Sequence, residues 1–379
     1  MKIWAIGGTA TRSAIVAALA VTIPACGPAS DDGAAPSVPR IKSSRVLGTT
    51  RGPNGERPTP NSALRLSSSE VAKVRAGRYT AALVWHEGSD FIDAVDVGVR
   101  DEFSVLGIRV VAETSANFDA AKQKSDVETV QAKRPSVLLT LPVDPVVTAS
   151  AYQAAARQGT KIVLLSSVPQ GMTYGRDYVN LVTDDLFQMG KRAADALAAA
   201  IGGKGKIAYF FHDANHYVTN QRDQAFLSTI TGNYPDIDVV AKRGIADPNR
   251  AQDVAAATLL KHPDLAGAYV MFAQPPGEGV LAALRAAGNT KMKLVTLDLD
   301  EPLALDMARG GQTFALIVDR AYDLGRAMAR SAAYGLLGKR APPFVIVPAL
   351  TITRSNLVHG YRVSLHRSPP ASVMKALGK

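Results

Sequence analysis

The sequence predicts an α/β chain built as two doubly wound, Rossmann-like lobes, and three observations lead there. From Ser68 onward, apolar runs of strand length alternate with helix-period segments of ten or more residues, the pattern of parallel sheets covered on both faces. The runs are too numerous for one compact sheet of usual size. No sharp linker divides the body, so two sheets have to be joined by strands that cross between them. Such an arrangement leaves a cleft floored by strand ends, where open α/β sheets bind ligands.

The elements follow in chain order. Lys2 and Arg12 give the N-terminus a positive character, and Ser13–Ile23 is an almost unbroken apolar run. That run is too short to span a bilayer and reads as an export signal over residues 1–25. It ends in Ile23-Pro24-Ala25-Cys26, which resembles the bacterial lipobox and implies a lipidated Cys26, although the middle position is usually smaller than Pro24. Cys26 is the single cysteine of the chain, so an intramolecular disulfide is impossible. Residues 26–67 are rich in Pro, Gly, Ser and Thr without apolar period, and are expected to be a lipidated terminus with a flexible tether.

Ser68–Gly77 reads as a short helix with a serine cap and a glycine stop. The strands expected next are 79–85, 108–113, 136–141, 161–166 and 178–182. The series continues with 206–211, 238–243, 267–272, 293–298, 313–318 and 344–352.

Composition excludes several classes. With 379 residues, 47% hydrophobic and 20% charged, the chain has ordinary globular character. Its net charge of +10 is scattered without a dense basic run or interleaved aromatics, so no nucleic-acid partner is expected. There is no GxSxG elbow, no Walker-type phosphate loop and no dinucleotide fingerprint after the first strand. An enzyme is not expected, nor is a cofactor. His86, His212 and His216 have no tight ligand spacing, which argues against a metal site.

Several local patterns stand in a telling order: Val84-Trp85-His86-Glu87-Gly88-Ser89-Asp90-Phe91, then LLTLPVD, KIVLLSS, VTDD with Gly190, Asn220-Gln221-Arg222-Asp223-Gln224-Ala225-Phe226, AYVMFAQ, VTLDLD and TFALIVDRAYDLG. In this order they resemble, over residues 78–355, the type 1 periplasmic binding proteins, the ribose- and galactose-binding receptors of bacterial ABC importers. The resemblance implies three crossover strands, with lobe one at 78–183 plus 320–344 and lobe two at 184–318 plus 345–379. It implies capture of a small polar solute, a sugar or related polyol, by hinge closure. The partners it implies are ABC permease subunits, with the membrane touched through the lipid anchor alone and the protein lying at the cell envelope, in the periplasm or at the outer surface. A sensory receptor that signals through the same closure is the alternative.

By the same resemblance, Arg222 is a forked donor to vicinal hydroxyls, Asp298 a cleft carboxylate, Asp319 a hinge residue touching solute, Phe91 a stacking plate and Ser89 a polar contact. Trp85, at the end of the first strand, is a further apolar plate. The competing roles are a salt bridge for Arg222, helix caps for Asp298 and Ser89, and core burial for Phe91 and Trp85. Ser166-Ser167 stands where ribose receptors carry Asp-Arg, and Gln274-Pro275-Pro276 where they carry Asn-Asp. Ser166 and Gln274 remain candidate contacts, and the changed pair argues against ribose itself.

Overall fold

The computed structural model describes residues 48–379; the expected signal, Cys26 and the first part of the expected tether lie outside them. Sheet one contains β1 (Thr59–Pro60), β2 (Thr80–Trp85), β3 (Arg109–Ser115), β4 (Val137–Thr140), β5 (Lys161–Leu165), β6 (Asn180–Asp184) and β12 (Phe344–Val347). Sheet two contains β7 (Gly205–His212), β8 (Ile237–Ile245), β9 (Gly267–Val270), β10 (Lys293–Leu297), β11 (Thr313–Val318) and β13 (Leu350–Ile352). The orders are β1-β12-β6-β5-β4-β2-β3 and β13-β11-β10-β9-β7-β8. Every pairing is parallel except β11 with β13. This is the doubly wound, two-sheet fold that the alternation of apolar runs predicts.

Helices α1 (Ser68–Ala76), α2 (Asp90–Leu106), α3 (Ala120–Gln131), α4 (Ala149–Arg157) and α10 (Ala321–Leu336) go with sheet one. Helices α5 (Leu186–Ala200), α6 (Tyr217–Asn233), α7 (Ala251–Lys261), α8 (Glu278–Ala286) and α9 (Glu301–Ala308) go with sheet two. Two short helices, α11 (Leu357–Ser364) and α12 (Ala371–Ala376), close the chain. Helix α1 begins at a capping box: the Ser67 hydroxyl accepts from the Glu70 amide at 3.2 Å, and the Glu70 carboxylate accepts from the Ser67 amide at 2.7 Å. Helix α2 ends where Gly107 takes a left-handed conformation at φ 66°.

The chain passes between the sheets three times: after β6, after β11, and between β12 and β13. The run 344–352, expected as one strand, is two. Pro348 lies in the gap between β12 and β13, and a proline has no amide hydrogen to continue a ladder.

The expected tether is corrected over residues 48–67. Thr50 and Leu64 are each 1% exposed, and Thr59–Pro60 pair in parallel with Val345–Ile346. Composition rich in Pro and Gly does not preclude packing when backbone hydrogen bonds and one apolar plug hold the segment.

One helix pair in each lobe approaches closely. A Cβ on Gly325 of α10 would lie 1.9 Å from the Val95 carbonyl oxygen of α2, and one on Gly190 of α5 would lie 2.0 Å from the Arg222 carbonyl oxygen of α6. Gly190 is the fifth residue of its helix and so is Gly325, so the two lobes are built on one repeated plan.

Candidate binding site

Arg222 organises the site. It lies in the second turn of α6 and is 6% exposed. Its Nη1 donates to Asp298 Oδ1 at 3.1 Å, its Nη2 donates to Asp319 Oδ1 at 3.1 Å, and Asp184 Oδ2 stands 3.9 Å from the same Nη2. Each carboxylate comes from a strand end: Asp184 ends β6, Asp298 follows β10 and Asp319 follows β11. Asp298 and Asp319 stand side by side because the adjacent parallel strands β10 and β11 present their C-terminal ends on one side, and Asp184 joins them from the crossing strand β6 of sheet one.

The electrostatics follow from burial. Burial raises all three acids, aided for Asp319 by the Asp184 carboxylate and opposed by the Arg222 charge, so that Asp319 is pushed up to about 8, Asp298 to about 7 and Asp184 to about 6. Asp298 keeps a side chain 35% exposed, and water there moderates the effect; Asp184 and Asp319 are sealed. For Arg222, burial opposes the charge, but Asp298, Asp319 and Asp184 together outweigh it and hold the guanidinium firmly protonated. Its Nε and Asp184 Oδ1 are buried with no hydrogen-bond partner in the protein.

Asp223 fixes the helix that carries Arg222. Its carboxylate accepts from the His212 amide at 2.8 Å and from the Tyr269 hydroxyl at 2.7 Å, tying α6 to the ends of β7 and β9. Burial pushes this acid up to about 6. His212 Nδ1 lies 2.9 Å from the Thr219 hydroxyl and His216 Nδ1 3.5 Å from it. Burial lowers the pKa of both imidazoles, and the Arg222 charge adds to the lowering at His216.

Ser166 and Asp298 share an unusual backbone. They follow β5 and β10, the third strands from corresponding ends of the main sheets once the edge strand β1 is set aside, and both are left-handed, at φ 55° and 68°. Such φ values are uncommon outside glycine, and they concentrate at ligand sites. The Ser166 hydroxyl is 3.0 Å from that of Thr183.

Of the residues expected from sequence, Arg222, Asp298 and Asp319 are in direct contact. Ser89 is the N-cap of α2, accepting from the Ile92 amide at 3.4 Å and donating to Glu87 at 3.1 Å. Trp85 ends β2 within the core, and its indole Nε1 is buried without a partner. Phe91 is half-buried against the same core. Gln274 is exposed in the turn after β9. Asp184 and Asp223 were not among the expected site residues. A signal for Asp184 exists: Val182-Thr183-Asp184-Asp185 with Gly190 and Ile317-Val318-Asp319-Arg320 with Gly325 repeat one spacing.

Comparison with known proteins places this geometry in context. The family described as "Periplasmic binding protein domain" matches residues 81–340. A search of curated proteins returns no match. An ABC transporter solute-binding protein from Agrobacterium vitis, solved with α-D-tagatopyranose, is 23% identical with a TM-score of 0.65 over 75% of this chain and 98% of that one. An arabinose-binding protein from Geobacillus stearothermophilus is 21% identical with a TM-score of 0.68 over 75% and 99%. A solute-binding protein from Mycobacterium smegmatis, solved with glycerol, is 24% identical with a TM-score of 0.62 over 74% and 96%. At these identities the likeness is one of fold.

Proposed function

Because the chain belongs to the periplasmic binding protein family, we propose that it captures a small polyhydroxylated solute, a sugar or polyol, between its lobes and delivers it to the permease of an ABC importer. The observation that carries this reading is the Arg222 guanidinium held between Asp298 and Asp319 at the ends of the adjacent strands β10 and β11. A hydroxyl both donates and accepts. A carboxylate accepts its hydrogen bond while a guanidinium donates to its oxygen, and charged groups make the stronger bonds. Each terminal nitrogen of Arg222 carries two hydrogens, and the bonds to Asp298 and Asp319 use one of each.

In this reading Arg222, Asp298 and Asp319 bind the hydroxyl edge. Phe91 offers apolar surface to the C–H face and Ser89, Ser166 and Gln274 are assigned to the rim, while Trp85, 1% exposed, stays in the core. Likeness to proteins solved with α-D-tagatopyranose and with glycerol supports the solute class. Closure by hinge bending would draw on contacts made to both lobes. Lipidation at Cys26 would keep the protein at the membrane surface; among the described residues no helix is long and apolar enough to cross it.

A panel of sugars, polyols and nucleosides, read by thermal shift and by Trp85 fluorescence, tests the proposal. A solute present at 100 times its Kd raises stability by about 2.7 kcal/mol. The absence of any shift across the panel would remove the solute assignment.

A further inference from the structure

Residues 48–66 precede the family match, which begins at residue 81, yet they are fastened to both lobes. On lobe two, the Arg51 backbone makes three hydrogen bonds. Its amide donates to Gln221 Oε1 at 3.0 Å, and its carbonyl accepts from Gln221 Nε2 at 2.9 Å and from the Tyr217 hydroxyl at 2.6 Å. The buried Thr50 hydroxyl donates to the Asp185 carboxylate and accepts from the Phe187 amide at 2.9 Å. On lobe one, Thr59–Pro60 extend the sheet beside β12, Leu64 is sunk in the core, and the Tyr334 hydroxyl bonds the Arg65 amide and carbonyl at 3.1 and 2.9 Å.

The points held on lobe two adjoin the site. Gln221 precedes Arg222, and Asp185 follows Asp184. The link between the two anchorages is short and braced. A turn closes with the Gly52 amide on the Glu56 carbonyl at 3.0 Å, and the Asn54 amide and side chain bond the Glu56 carboxylate at 2.9 and 3.0 Å. Pro53, Pro58 and Pro60 restrict the backbone further. From Arg51 to Thr59 an extended chain spans at most about 28 Å, and the turn shortens that. Separating the lobes must therefore unwind the turn or break the Arg51 bonds.

We infer that residues 48–66 form an interlobe strap that positions the N-terminal ends of α5 and α6, with Asp184 and Arg222, against lobe one and holds the cleft near its solute-binding spacing. This deepens the capture reading and rests on it for the solute. All the bonds at position 51 are made by backbone atoms of the strap, so the partner side chains on α6 decide its attachment.

The test uses the full chain. Tyr217→Phe combined with Gln221→Ala removes the bonds to Arg51, and Thr50→Val removes those to Asp185 and Phe187, with Thr50→Ser as the conservative rescue. Three measurements are made: Kd for a sugar that shifts the wild type, the radius of gyration by X-ray scattering without and with that sugar, and tryptic cleavage after Arg51. The expected result is new cleavage, a larger radius without sugar, an unchanged radius at saturation and a Kd raised about 3- to 10-fold, because less of the protein is binding-competent. Thr50→Ser restores the wild-type values. Cleavage without any change in radius or Kd overturns the inference, as does tighter binding or a strap that stays protected in both variants. If no sugar binds the wild type, the capture reading fails, and the radius and cleavage still decide the strap.

Discussion

Asp184 and Asp319 occupy matching points of the two lobes and converge on one guanidinium, 3.9 and 3.1 Å from Arg222 Nη2. Each stands at the end of a strand where the chain crosses between lobes, one residue before the turn into α5 or α10. In the proposed reading, the crossing points between the sheets and the candidate site share these residues. A change in charge or position at one is felt at the other.

Arg222→Ala should both destabilise the protein and abolish solute binding. Removing the cation leaves sealed carboxylates with no counter-charge, which costs about 3–5 kcal/mol, readable by urea denaturation. Arg222→Lys keeps the charge but not the fork. It should recover most of the stability and little of the affinity. Equal recovery of both would show that the fork does not touch solute.

The same cluster sets a pH dependence. Asp319, Asp298 and Asp184 are raised from 3.8 to about 8, 7 and 6, chiefly by burial. An acid raised in the folded state holds more protons there than in the unfolded chain, so stability falls as pH rises from its unfolded value through its folded one. The melting temperature should decline between about pH 4 and pH 8. Asp319→Asn, which supplies an N–H donor toward Asp184 at every pH, should flatten that decline. Differential scanning fluorimetry across buffers reads both, and a wild-type Tm rising over this interval would contradict the assignment.

Gly190→Ala and Gly325→Ala test the repeated helix packing. The added methyl meets a carbonyl oxygen at 2.0 or 1.9 Å, and backbone on a neighbouring helix cannot turn aside as a side chain can. Each variant should lose about 1–3 kcal/mol or more. Gly190→Ala should weaken solute binding beyond its effect on stability, because the helix it displaces carries Arg222, whereas Gly325 presses on Val95. Comparing affinities of the two variants where both remain folded separates the effects.

Leu64→Ala should cost about 2–5 kcal/mol, although it lies 17 residues before the family match begins at residue 81. Chemical denaturation measures this. A value near zero would mean that the N-terminal segment packs without supporting the fold.

Much of the architecture was legible in the residue order. Alternating apolar runs and helix-period segments report what each segment must bury, and this is a local property. The serine cap and the glycine stop of α1 are equally local. Arg222, Asp298 and Asp319 were indicated by the family resemblance of the motifs that carry them. Asp184 did not, because an acid next to a capping acid in Val182-Thr183-Asp184-Asp185 reads locally as a helix start. Ser89 shows the reverse: a residue expected at the solute is engaged as a cap.

By itself, then, the order of residues determined the class of fold, the succession of strands and helices, and a core of charged residues poised at strand ends. Tertiary structure alone decided that 344–352 would divide at Pro348 between two sheets, that a third carboxylate would join Arg222, and that 48–66 would pack across the lobes. The reason is distance along the chain. Thr50 meets Asp185 across 135 residues and Arg51 meets Gln221 across 170, and no periodicity within a short window carries the identity of so remote a partner.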